Sequence, residues 1–326
     1  MRLYVDGWDP RYGSALEPAE AGGPEAESTA QIDPDVEVPT ASWRPLAPAA
    51  DLRTPDVVLM VDGVRRIDAH LWVQEDDDAP QQPCLAVSYA AGVVRCDLRQ
   101  GVAEVASARI ARGLFTASAS VTDMATTAAT YAVKRVGVKD PGKLPYSILP
   151  HLRALEIEVS RQVRAESPAD AVDLLVVDGP LEDRGQLPRS LGYIKTHRRA
   201  YLAPPLAAVV AQLAPGQRTP FFGLGTKWRQ YSWYLRLPGP EGSAWSGVVR
   251  VECSADLPTA EVSRLADLSA VTLPRFASTP HKDPRAPQNL VPIAGLERKL
   301  RGMLGDSRLL HRALTMAAAR ERAAVP

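Results

Sequence analysis

Cysteine is scarce in this chain of 326 residues: Cys84, Cys96 and Cys253 are widely spaced, and no C-x-x-C pair occurs. That excludes a disulfide framework, offers no zinc-ligand spacing, and suits a reducing cytoplasm. Long apolar runs are missing too. No stretch approaches the roughly 18 residues that a membrane span requires. Asp6 and Asp9 stand where a secretion signal would need its apolar stretch, so a cytoplasmic protein with no membrane partner is expected. The composition is otherwise that of a globular protein, 45% hydrophobic and 23% charged, with ample length to bury a core.

Net charge is also absent, 38 basic against 38 acidic residues, but the balance hides an asymmetry. Residues 1–60 carry eleven acids and four bases, whereas 184–236 carry nine bases and not one Asp or Glu. A segment of that kind can present a positive surface to phosphates even when the whole chain is neutral.

Residues 16–50, rich in Pro, Ala, Gly and Glu, read as an acidic linker. Ahead of them, Arg2 to Tyr12 suggests a short strand docking back on the body. The expected division is therefore an irregular N-terminal segment, 1–53, and a main domain, 54–326. Val57 to Val61 is a continuous apolar run, the pattern of a strand buried on both faces. Gly63 then suggests a turn into a partner strand from Ile67 to Val73. Further strands are expected at Cys84–Tyr89 and from Val93, while the Ala-rich 103–139 reads as helical in places. Leu152, Leu155, Val159 and Val163 give a helical stripe within 149–166. Asp173 to Asp178 is a buried strand, and Gly192 to Lys195 a short one. A helix follows at 204–213, a hairpin at 229–237 and 246–252, and helices at 259–269, 289–303 and 306–322. The aromatics of that hairpin, Trp233 and Tyr234 among them, are expected to pack inward. Gly223-x-Gly225-Thr226-Lys227 lacks the spacing of a phosphate-binding loop, so no ATP site is expected.

Asp62 and Asp178 each close an apolar strand and each precede a glycine. An aspartate there serves equally as a turn former, its side chain bonding nearby amides. Two such acids with a glutamate-bearing helix between them suggest more. Carboxylates converging at the end of a rigid sheet can hold hard divalent ions, which activate water and neutralise a phosphodiester. Glu156 and Glu158 compete for the helix position; Glu156 lies beside the apolar stripe and is preferred. Lys195, soon after the second aspartate, suits a phosphate, or is a solvated loop charge. An antiparallel meander, a helix with Glu and a strand with Asp follow the order of the RNase H-like fold, an α/β mixed sheet flanked by helices.

Several pieces, taken in order, resemble the NurA family of nucleases: Val61-Asp62-Gly63, Leu155-Glu156, Val177-Asp178-Gly179-Pro180-Leu181, Gly192-Tyr193-Ile194-Lys195 and Pro292-Ile293-Ala294-Gly295-Leu296-Glu297. The likeness runs from residue 54 to 318. It implies a DNA end-processing nuclease using Mn²⁺ or Mg²⁺, acting as a homodimer with a HerA-like hexameric ATPase. It implies Asp62, Glu156, Asp178 and Glu297 as metal ligands, with Glu158 and His281 as alternatives for a ligand position. Lys195, Arg198, Arg199, Lys227 and Arg229 are the expected DNA contacts. The competing reading is an inactive relative that binds DNA or the ATPase and cuts nothing.

Overall fold

A computed structural model describes residues 8–9, 11, 30–49, 52–76, 78–166, 172–197, 199–225, 229–240 and 242–324. The protein is mixed α/β, with a large mixed sheet and flanking helices. It divides into two compact units, one formed by residues 1–60, 94–104 and 168–294, the other by 61–93, 105–167 and 295–326.

The first unit contains β1 (Gln31–Asp33), the start of β2 (Val57–Val73) and the end of β3 (Gln82–Asp97). It continues with β7 (Asp173–Asp178), β8 (Ser190–Ile194), β9 (Phe222–Gly225), β10 (Arg229–Arg236) and β11 (Val248–Ser254). Its strand order is β1-β9-β10-β11-β8-β7, continuing to β2 and β3. The Asp56 amide donates to the Val172 carbonyl at 3.0 Å, so β2 and β7 begin side by side and run parallel. β8 is parallel to β7 and antiparallel to β11. The helices are α2 (Pro204–Ala211) and α3 (Thr259–Thr272). Leu206 and Val210 of α2 pack on Phe222, Tyr234 and Val248 of the sheet.

The second unit holds the rest of β2 and β3, with β4 (Val102–Thr116) from Val105 onward, β5 (Met124–Ala125) and β6 (Thr130–Arg135), in the order β2-β3-β4-β6-β5. The connections within β2-β3-β4 are too short for parallel crossovers, so this is the expected antiparallel meander. Its helices are α1 (Leu149–Ala165) and α5 (Ser307–Ala324); α4 (Val291–Met303) begins in the first unit and ends in the second. Leu314 and Ala317 of α5 pack with Leu114, Met124 and Tyr131.

Four local expectations are corrected. β2 is one strand of 17 residues, not two strands around a turn at Gly63. The missing side chain there serves close packing instead, because a Cβ on Gly63 would lie 2.7 Å from Leu152 Cδ1 of α1. The separate strands read at Cys84 and Val93 are likewise one, β3. Residues 103–139 hold strands rather than helix: β4 is tied to β3 by a tight turn, and its inner end buries Leu114 and Phe115, so tertiary pairing overrides the helix preference of alanine. Finally, the described part of the supposed linker, 30–49, is structured. β1 pairs with β9, Ile32 and Trp43 dock on the core of the first unit, and Glu37 is bound by Arg218 at 2.7 Å. The strand suggested around residues 2–12, Asp6 included, lies outside the described residues apart from Trp8, Asp9 and Arg11.

The hairpin of β10 and β11 pairs Trp233 with Val251, and Trp233 and Tyr234 are both buried. The indole of Trp233 donates to Ser269 Oγ of α3 at 3.0 Å.

Candidate active site

In the first unit, Asp178 is the last residue of β7 and Lys195 follows the end of β8, so parallel pairing brings the two strand ends together. The Lys195 ammonium lies 2.6 Å from Asp178 Oδ2, and both side chains are largely buried, 13% and 14% exposed. Lys195 also donates to Asn289 Oδ1 at 3.0 Å, and the Asn289 amide donates to Asp283 Oδ2 at 2.7 Å. Asn289 is fully buried. Its amide therefore has a fixed orientation, oxygen toward the cation and nitrogen toward the anion.

The ground beneath Asp178 is just as tightly specified. The Leu181 amide, three residues on, donates to Glu252 Oε1 of β11 at 2.6 Å, and Arg250 donates to Glu252 Oε2 at 2.6 Å. Gly192 lies between these groups. A Cβ there would stand 2.7 Å from the Leu181 nitrogen and 2.8 Å from Glu252 Cγ. The Gly-Tyr-Ile-Lys piece thus needs its glycine for space, and its tyrosine hydroxyl donates to the Gln288 carbonyl at 2.6 Å.

These strand ends open into a cavity of about 530 Å³, whose walls include Asp178, Lys195, His197, Arg199, Arg250 and Arg285. Four cations and one carboxylate make it a place for an anion. Burial pushes His197 down to about 4, and the nearby charge of Arg250 acts the same way. The ring is therefore neutral at physiological pH. With Nε2 3.0 Å from the Val248 carbonyl, its proton sits on Nε2 and Nδ1 is left as an acceptor.

In the second unit, Asp62 is the sixth residue of β2 and accepts from the Gly63 amide at 2.7 Å. Glu156 is buried on α1, and its Oε1 would lie 2.6 Å from a Gly63 Cβ. Both carboxylates therefore approach the same residue, Gly63, and lie within about 8 Å of each other by chain geometry. Leu155 is only half-buried, whereas Glu156 joins Leu152, Val159 and Val163 on the buried face. Glu158 is exposed and ion-paired with Arg109. Glu297 on α4 accepts from Arg301 one turn on, at 2.7 Å. His281 is exposed.

The basic segment 184–236 is less available than its sequence suggests. Arg189 binds Asp173, Arg218 binds Glu37 and Asp267, and Arg236 donates to the carbonyls of Ala244 and Ser246. Arg199 and Arg229 are exposed. Arg198 and Lys227 lie outside the described residues.

Hard oxygen donors such as Asp62, Glu156 and Asp178 have the chemistry that Mn²⁺ or Mg²⁺ requires. Among the described residues, no three His, Cys, Asp or Glu side chains form a group able to hold a metal ion. What each unit supplies is narrower: two carboxylates at Gly63 in one, and in the other a carboxylate held by an ammonium. Sequence reasoning missed Glu252, Asn289 and Asp283. Glu252 sits in an apolar strand, Val-Arg-Val-Glu-Cys, where a buried charge was the available signal.

No family model matches the chain, and no curated protein does. Among solved structures, the catalytic domain of human Endonuclease V is 17% identical, over 83% of this chain and 93% of that one, at a TM-score of 0.37. Endonuclease V from Bacillus subtilis is 12% identical over 79% and 85%, at 0.33. A further structure of human ENDOV is 15% identical over 77% and 84%, at 0.34. At these scores the likeness carries no assignment of activity. No helix among the described residues is long and apolar enough to cross a membrane.

Proposed function

We propose that this protein is a divalent-metal-dependent deoxyribonuclease with an RNase H-like arrangement, similar to the NurA family. The observation that carries the reading is Asp178, placed with Lys195 at paired strand ends on the wall of a cation-lined cavity. Asp62, Glu156 and Asp178 would hold Mn²⁺ or Mg²⁺, with Glu297 as the further ligand. When bound, the ion supplies charge neutralisation at the phosphate and an acidified water. Lys195 and Arg199 bind and orient the phosphodiester, Lys195 moving its charge from Asp178 to the phosphate as substrate enters. His197 stays neutral, with Nδ1 left as an acceptor. The resemblance adds DNA end processing, a homodimer and a HerA-like hexameric ATPase as partner, in the cytoplasm.

A second reading has its own support. The ammonium 2.6 Å from Asp178 suits a relative that binds DNA or the ATPase without cutting. Incubation of linear duplex DNA with the protein and Mn²⁺ decides between them. The nuclease reading expects hydrolysis that stops with chelator and falls at least a hundredfold in Asp178→Ala. Equal activity in the two proteins, or none in either, rejects it.

A further inference from the structure

One wall of the cavity comes from far away in sequence. Trp8 lines it together with Tyr201. Trp8 is buried; its indole N–H donates to Gln288 Oε1 at 2.9 Å, and the next amide, Asp9, donates to the Pro284 carbonyl at 2.8 Å. Gln288 receives the Tyr193 hydroxyl, and its neighbour Asn289 holds Lys195. The indole is thus anchored to the loop that aims the Asp178–Lys195 pair. Tyr201 is half-buried on the cavity wall, with the Arg250 guanidinium 5.0 Å from its ring centre.

Size, charge and wall chemistry point the same way. A cavity of about 530 Å³ is the scale of one small ligand. Lys195, Arg199, Arg250 and Arg285 outnumber the carboxylates beside them, since Asp178 faces Lys195, Glu252 binds Arg250 and Asp283 lies 3.8 Å from Arg285. Among these described residues, one positive charge remains in excess. Two aromatic side chains beside that charge suit an anion with a flat body.

We propose that the cavity is a one-nucleotide pocket: Lys195, Arg199 and Arg285 take the phosphate, and Trp8 and Tyr201 take the base by stacking. Trp8 is then a binding residue delivered by the N-terminal segment. The choice of a nucleotide over other aromatic phosphates rests on the nuclease reading; the pocket itself does not. Base–aromatic stacking tolerates any base, so recognition is of a nucleotide unit rather than of sequence.

Calorimetric titration of the full chain in chelator, with dAMP, TMP, deoxyadenosine and inorganic phosphate, tests this without any cleavage. Both nucleotides are expected to bind at least tenfold more tightly than phosphate or the nucleoside. Trp8→Ala and Tyr201→Ala each weaken dAMP about tenfold, within the range of one lost stack, and Tyr201→Ala leaves phosphate binding within twofold. Trp8→Phe keeps most of the affinity. Nucleotide binding no tighter than phosphate, or unchanged by Trp8→Ala, overturns the proposal. So does tighter binding in Trp8→Ala, which would make the indole a plug. Tight dAMP binding in a protein that leaves DNA intact would support the pocket and reject the nuclease reading.

Discussion

Gly192→Ala is the sharpest stability test of how the strand ends are built. In an ordinary strand the change is mildly favourable, because alanine restricts the unfolded chain by about 0.4–1 kcal/mol. Here the new methyl would stand 2.7 Å from a backbone nitrogen, 2.8 Å from Glu252 Cγ and 3.1 Å from the Gly179 carbonyl. Two of those three atoms are main chain, held by β7 pairing and by the Leu181–Glu252 bond, so relief requires moving the loop that follows Asp178. Overpacking of this kind costs roughly 1–3 kcal/mol, and weakening the charge-assisted bond to Glu252 puts the expected total at about 3 kcal/mol. For a unit of this size that is a fall in Tm of roughly 5–10 °C. Differential scanning calorimetry reads it directly. Gly63→Ala is the companion: its close contacts are all side-chain atoms of Leu152 and Glu156, which can rotate, so it costs less stability while displacing Glu156. An unchanged or raised Tm in Gly192→Ala would refute the packing argument.

Glu252→Gln leaves Arg250 buried without its counter-charge. It should cost about 3 kcal/mol in urea denaturation, with much of the loss recovered by adding Arg250→Met. His197 titrates at about 4 in the folded chain, below its ordinary 6.5. The unfolded chain therefore takes up the proton first, and stability is lost as pH falls from about 6.5 toward 4, by about 3 kcal/mol. His197→Gln should flatten that part of the pH–stability curve, and an identical slope in both proteins would contradict the burial argument. Arg189, Arg218 and Arg236 are engaged internally, so DNA binding should rest on about five phosphate contacts, those of Lys195, Arg198, Arg199, Lys227 and Arg229. Affinity should then fall about 500-fold between 50 and 200 mM salt; a flat response by fluorescence anisotropy would count against any phosphate contact.

The elements that could be read from sequence were those whose pattern is local. The apolar runs ending at Val61 and Asp178, the α1 stripe and the C-terminal helices declare themselves by periodicity. So did the inward side of Glu156, which follows from its place beside Leu152 and Val159. What could not be read was decided across the fold. Gly63 looks like a turn until α1 is seen lying against it. Alanines of β4 look helical until β3 claims their backbone. The acid-free stretch 184–236 looks like an open basic surface, but Glu37, Asp173 and Asp267 reach it from elsewhere in the chain. Asn289 and Glu252 give no local sign of their roles, because each is defined by a partner more than 70 residues away.

The most direct test of the account compares Glu156→Gln with Glu158→Gln in Mn²⁺-dependent hydrolysis of linear duplex DNA. The two residues are two positions apart on α1, one buried at Gly63 and the other exposed against Arg109. If the buried helix carboxylate at Gly63 takes part in the reaction, Glu156→Gln loses at least a hundredfold in rate and Glu158→Gln stays within about threefold of wild type. Equal rates in all three proteins, or a loss confined to Glu158→Gln, would contradict it.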